Sequence, residues 1–158
     1  MSTTSGHWAG DRAYLGWRSP QGKCQVLVRD QAGLRPLDHI KLHSIGFEWG
    51  YAGGQGPTDL ALSLLADALG EDAGAVRPDH GRAYDLRHAA ATALTSRLPR
   101  SGWWVVQRHD LISWVREIEN EPAASCRPIP FRSSRALPSA RPPSIADGGP
   151  YVLSVSSS

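Results

Sequence analysis

The chain opens with apolar residues spaced for strands and later switches to a helical spacing. Arg12 to Arg18, with Tyr14 and Leu15 at its centre, reads as a short strand. Lys23 to Arg29 reads as a second, because Cys24, Val26 and Val28 alternate with Lys23, Gln25 and Leu27. A period of two with β-branched residues marks a strand with one buried face. Pro20-Gln21-Gly22 and Asp30-Gln31-Ala32-Gly33 supply turns, with Gly33 at the positive-φ position. Two short strands joined in this way predict an antiparallel meander. Pro36 to Ser44 mixes Leu37, Ile40 and Leu42 with Asp38, His39, Lys41 and His43, and reads as loop or edge strand. Ile45 to Tyr51 is aromatic and predicted to be extended. Ala52-Gly53-Gly54-Gln55-Gly56 must turn, since glycines lose too much backbone entropy to favour regular structure.

Helical periodicity begins at Pro57. Proline suits the first helical position, where its missing N–H has no helical partner. Asp59 adds negative charge to the first turn, where the helix dipole favours it. Leu60, Leu64 and the set Ala61, Leu65, Ala68 and Leu69 form a wide apolar face, and Gly70 provides the stop. Glu71 to Gly81 is a polar connection. A second helix is predicted over Arg82–Leu98, alanine-rich from Ala89 to Ala93 and ended before Pro99. Trp103 to Gln107 reads as a strand. Asp110 can cap a third helix to about Asn120, with Leu111, Ile112, Trp114, Val115 and Ile118 as its apolar set. From Glu121 onward, seven of the twelve prolines fall among serines and arginines, and apolar periodicity is lost. Such a segment buries too little surface to offset the entropy of ordering. The expected organisation is a disordered N-terminus over 1–11, one α+β domain over 12–120 and a disordered Pro/Ser/Arg-rich tail over 121–158. The domain is read as a small antiparallel sheet packed against about three helices.

Charge sharpens this division. Residues 1–120 hold thirteen basic and thirteen acidic side chains, so the whole net charge of +2 resides in the tail with Arg127, Arg132, Arg135 and Arg141. A neutral body lacks the electrostatic footprint of a nucleic-acid binder and leaves only the tail for that role. Cys24 and Cys126 show neither metal-ligand spacing nor a disulfide framework, and read as a buried thiol and an exposed one. No apolar run reaches the roughly 18–20 residues of a membrane span. The first residues, Met1 to Gly6, carry no signal-peptide pattern. A cytoplasmic protein without a membrane partner is expected.

The run Gly46-Phe47-Glu48-Trp49-Gly50-Tyr51-Ala52-Gly53-Gly54-Gln55-Gly56-Pro57-Thr58-Asp59-Leu60-Ala61-Leu62-Ser63-Leu64-Leu65-Ala66-Asp67 resembles the bacterial and phage family called domain of unknown function 6166. That family's hallmark is a GFEWGYGGSGPxxLALxLLAD segment. Tyr14-Leu15-Gly16-Trp17-Arg18, Leu98-Pro99, Trp103 and Ile112-Ser113-Trp114 are similar to its flanking features. The resemblance covers roughly residues 12–116. Ala52 stands where the family has glycine, and the tail has no counterpart. The resemblance implies a bacterial, phage or plasmid setting and supplies no activity.

Four candidate sites follow from the residues. Gly53, Gly54, Gln55 and Gly56 lead into a helix N-terminus, where free N–H groups can hold an anion such as a nucleotide phosphate. Against this, no phosphate-binding glycine signature is present and Asp59 has the wrong sign. Glu48 is an acid–base candidate if buried between Phe47 and Trp49, a surface ion-pair partner if alternation turns it outward, or a buried fastener of the glycine loop through backbone N–H groups. The fastener role is the preferred reading. His39 and His43 are four apart, but the segment does not read as a helix and no ligand set is completed. Of the consecutive pair Trp103-Trp104, one must face outward unless both faces are covered, and Trp104 is the expected anchor for a partner protein. With no catalytic set, cofactor motif or metal set in view, the sequence favours a non-enzymatic protein-binding accessory module of a mobile element or bacterial genome. The alternative is a small-ligand or nucleotide-binding domain using Glu48 and the loop Gly53–Gly56.

Overall fold

The computed structural model describes residues 11–42, 46–71 and 81–134. Five antiparallel strands form one sheet: β1 (Ala13–Arg18), β2 (Cys24–Asp30), β3 (Gly33–Pro36), β4 (Trp103–Gln107) and β5 (Arg132–Ser134), in spatial order β3-β2-β1-β4-β5. The expected meander is present. Gly22 (φ +84°) donates its N–H to the Ser19 carbonyl at 2.8 Å, closing the first turn. In the second turn the Asp30 side chain accepts the Ala32 N–H at 2.8 Å, and Gly33 takes φ +120°.

Three helices, α1 (Gln55–Leu69), α2 (Arg82–Ala90) and α3 (Arg108–Asn120), complete the α+β domain. Helix α1 is its centre. Leu60, Leu64 and Leu65 are fully buried, and so are Leu62, Asp59 and Ser63 on the other sides. The single apolar face read from the sequence is therefore an underestimate, because α2 and the loop before α1 cover the rest. Helix α1 begins two residues before Pro57, so Asp59 lies beyond the first turn and faces His39 at 3.8 Å. Gly70 (φ +74°) ends it as predicted, donating to the carbonyls of Ala66 and Asp67.

The second predicted helix changes geometry part-way. After Ala90 the chain winds as a π turn over Ala91–Thr95, with the Ser96 N–H bonding the Ala91 carbonyl at 2.9 Å. The Thr95 hydroxyl donates to the Pro57 carbonyl at 2.8 Å, drawing this wider turn onto the start of α1. Helix α3 follows β4 directly, so Gln107 rather than Asp110 occupies its cap. The stretch after Ile45, which itself lies outside the described residues, is irregular rather than a strand. Trp49 is inserted into the core with its Nε1 donating to the Pro99 carbonyl at 2.9 Å, and Gly50 (φ +90°) breaks the extended path. After β3 the segment Leu37 to Leu42 is loop, pinned by the Ile40 N–H donating to Ser63 Oγ at 3.0 Å.

The domain does not stop at Asn120. A 3₁₀ turn over Pro122–Cys126 leads to β5, which pairs with β4. Local periodicity missed this segment because its anchors are distant in sequence. The Trp114 Nε1 donates to the Arg127 carbonyl at 3.1 Å, and the Ile129 N–H to the Ala93 carbonyl at 3.0 Å. The Ile129 side chain is 1% exposed. Ile129→Ala is therefore expected to cost about 2–4 kcal/mol, since a buried branched chain leaves a cavity when truncated. Urea unfolding measures this, and a loss within 0.5 kcal/mol, about that of a surface change, would return the segment to the tail. Of the termini expected to be disordered, 1–11 and 121–158, residues 1–10 and 135–158 lie outside the described residues.

Candidate functional site

The glycine loop is closed by the chain's own side chains. Trp49 anchors its start, and Arg18 donates to the Trp49 carbonyl at 3.2 Å while its guanidinium lies 5.4 Å from the indole centroid. Arg100 donates to the Gly50 carbonyl at 3.1 Å. The Tyr51 ring folds over Gly54, where a Cβ would meet Tyr51 Cε2 at 2.1 Å. The Tyr51 hydroxyl donates to Glu48 Oε2. Burial and then this hydrogen bond push the Tyr51 phenol up to about 12, so it remains a donor at neutral pH.

Glu48 in turn lies against Gly56. A Cβ on that glycine would sit 2.7 Å from Glu48 Cβ and 3.2 Å from Glu48 Oε2. The carboxylate thus occupies the first turn of α1, the place where an external anion would be favoured. The structure brings Glu48, Gly54 and Gly56 together and leaves Gly53 and Gln55 exposed. Glu48 itself is exposed, which corrects the expectation of a buried fastener. The neighbouring Trp49 takes the buried side, and among the described residues Tyr51 rather than an arginine or a row of N–H groups holds Glu48.

A second cluster joins the sheet to α1. Asp67 accepts from the Tyr14 hydroxyl at 2.7 Å, from Arg12 Nη1 at 2.8 Å and from Arg35 Nη2 at 2.7 Å. Burial alone would raise the Asp67 carboxyl, but the donors Arg35, Tyr14 and Arg12 outweigh it and hold it below the usual carboxylate range. Burial pushes the Tyr14 phenol up, and the bond to Asp67 adds to this. With its oxygens occupied by three donors from β1, β3 and the residue before β1, Asp67 is a clasp rather than an acid–base group. His39 stacks on Phe47 at 4.3 Å between ring centroids, and burial lowers its pKa. Its proposed companion His43 lies outside the described residues. Burial also raises the half-buried Cys24 thiol above its ordinary value.

Trp104 is not a surface anchor. It is 0% exposed, packed edge-on to Trp49 at 5.4 Å and laid over Gly16. The phase of β4 is set by its partner β1, where Gly16 alone leaves room for an indole. The outward tryptophan is Trp103, which lies opposite Trp17.

The same alternation defines a whole face. Tyr14, Val26, Val28, Trp104 and Val106 point toward the helices and belong to the core. Leu15, Trp17, Leu27, Leu34 and Trp103 occupy the opposite phase, are half-buried and belong neither to that core nor to the residues packed against it, while Val105 in the same phase is buried. Register places Leu27, Leu15 and Val105 in one row across three strands. Among the described residues, no helix covers this face. Its strand residues include Arg29 and Arg132 and no carboxylate. At its β4–β5 end a cleft is lined by Val105, Gln107, Phe131 and Arg132, together with His109 from the start of α3 and Asp11 from just before β1. Asp11 and Asp110 both engage His109 there, and the bond to Asp11 raises the imidazole's pKa. This surface was legible in part, since Leu15 and Leu27 sit out of phase with the buried Tyr14, Val26 and Val28. Fixing the phase required the pairing partner.

A family model described as "Family of unknown function (DUF6166)" matches residues 14–117. No curated protein and no solved structure matches the chain.

Proposed function

The chain belongs to the DUF6166 family of unknown function, and we propose that it is a non-enzymatic protein-binding module whose contact surface is the outward face of the sheet. One observation carries this reading: five half-buried apolar strand side chains, two of them tryptophans on adjacent strands, lie outside the core on the side away from the helices. A sheet with one face covered by helices ordinarily keeps polar residues on the other. A contiguous apolar patch in that position marks an interaction surface. The polar clusters support the same view, since Glu48 is committed to Tyr51 and Asp67 to three donors. A cytoplasmic setting is part of the proposal, because the free thiol of Cys24 suits a reducing compartment.

The test compares capture of host proteins by the full chain and by a Leu15→Arg/Leu27→Arg variant. A discrete partner retained by the first and lost from the second is expected, with melting temperatures that agree closely. Trp103→Ala is expected to weaken that complex by about 2 kcal/mol or more, as truncating an anchor tryptophan does. Identical capture by the full chain and the variant would refute the assignment of this face.

A further inference from the structure

The corner where β4 passes into α3 holds an imidazole between two carboxylates. His109 Nδ1 bonds Asp11 Oδ2, and His109 Nε2 lies 3.5 Å from Asp110 Oδ1. A neutral imidazole has one N–H and one bare nitrogen, whereas an imidazolium has two N–H groups. An ionised carboxylate offers only lone pairs. Acids on both ring nitrogens therefore match the imidazolium, and the neutral ring must turn a lone pair toward one of them. The two acids come from different parts of the fold. Asp110 sits in the first turn of α3, while Asp11 lies 98 residues before His109, just ahead of β1. Asp11 Oδ1 also accepts the Arg12 N–H at 3.0 Å, and the Arg12 carbonyl accepts the Arg108 N–H at 2.7 Å. The proton on His109 closes a ring of contacts from the entry of β1 to the start of α3. The surrounding charges supply no substitute cation. Arg12 and Arg108 turn to α1, bonding Asp67 and the Ala68 carbonyl. Asp30, which shares a cleft with Asp11, faces Arg12 and Arg35 at 3.8 Å each. Arg132 lines the cleft from the β5 side, with no bond to either acid among the described residues. The positive end of the α3 dipole works against an imidazolium here, which leaves the two carboxylates to hold the proton.

We propose that Asp11, His109 and Asp110 form a proton-operated latch, closed while His109 is an imidazolium and released when it is neutral. On release, Asp11 frees one wall of the cleft lined by Val105, Gln107, Phe131 and Arg132, and that cleft loses a cation beside two carboxylates. Histidine is the side chain whose ordinary pKa places such a change near neutrality, and the exposed ring of His109 exchanges its proton with solvent directly. The bond to Asp11 outweighs partial burial and holds the imidazole above its ordinary value. With the folded value raised, the latch's stabilisation is fully present below the unfolded value of about 6.5. It is lost as pH rises through the folded value.

Nuclear magnetic resonance of the full chain, titrated between about pH 5 and 8, tests this with two readouts. The first is the midpoint of the His109 ring signals. It is expected above the ordinary histidine value, to fall back toward that value in Asp11→Asn, and to fall further in Asp11→Asn/Asp110→Asn. The second is the protection of the Arg12 and Arg108 amides against hydrogen exchange, taken relative to the same amides in His109→Gln. Passing the midpoint is expected to lower that protection by about tenfold for each pH unit by which the midpoint in the unaltered chain exceeds that in Asp11→Asn, since one such unit is a tenfold change in the closed-to-released ratio. A His109 midpoint that Asp11→Asn leaves unmoved would overturn the latch. So would a raised midpoint with amide protection that stays level through it, which would reduce the three residues to a surface ion pair that opens nothing.

Discussion

A single methyl group added at residue 16, Gly16→Ala, is expected to lower stability by about 3 kcal/mol, the upper part of the range for overpacked cores. The new Cβ would stand 2.0 Å from Trp104 Cε2 and Cζ2 and 2.4 Å from Nε1. Neither side can yield readily. Gly16 lies in the middle strand, paired with Val26 on one side and Trp104 on the other. The indole is fully buried against Trp49. Moving it would disturb the same Trp49 that anchors the glycine loop through the Pro99 carbonyl. Chemical denaturation of the purified variant reads the loss, and a change under 0.5 kcal/mol, within the usual scatter of neutral sites, would mean that the indole is not lodged over Gly16. A double variant makes the mechanism explicit. Trp104→Phe shortens the ring and also removes an indole N–H that has no hydrogen-bond partner among the described residues. Gly16→Ala/Trp104→Phe is therefore expected to be more stable than Gly16→Ala alone, the non-additive signature of two groups in contact.

The same pair marks how far the sequence could be read. The apolar run Trp103–Gln107 correctly reads as a strand, but a strand has two phases and a run of four apolar residues does not choose between them. The choice is made by Gly16, which is 88 residues away in sequence. The α1 junction was more legible, because Gly70 and the leucines act locally, within a turn or two of helix. Asp67 was opaque for the opposite reason: its donors Tyr14, Arg12 and Arg35 lie 53, 55 and 32 residues distant. Glu48 was half legible. Its outward phase follows from Trp49, whereas its grip by Tyr51 depends on the chain reversing at Gly50. The segment beyond Glu121 was misread because proline content was weighed without the tertiary contacts that hold Ile129. Its few apolar side chains suffice once Ala93 and Trp114 provide backbone partners.

Asp67→Asn should be the most damaging polar substitution, at about 2–3 kcal/mol, the range for losing hydrogen bonds to a charged group in a largely buried site. The Asp67 side chain is 14% exposed, while Arg12 and Arg35 are 30% and 38% exposed. Water can therefore recover part of what the guanidinium groups lose, which keeps the figure below that of a fully buried pair. Tyr14 has no such relief, since it is fully buried and its hydroxyl depends on the carboxylate. An amide retains one acceptor but presents an N–H₂ to donors, so at least one of the three bonds is lost. The pH dependence follows from the direction of the shift. Because the folded carboxyl is held below its unfolded value of about 3.9, its stabilisation is fully present above that value and is lost as pH falls through the lower folded value. The wild-type chain should lose stability on this acid limb, and Asp67→Asn should lose less. The gap between the two denaturation midpoints should therefore be widest near neutrality and narrow in strong acid. A gap that stays constant across that range would mean that the ionised carboxylate is not what clasps the sheet to α1.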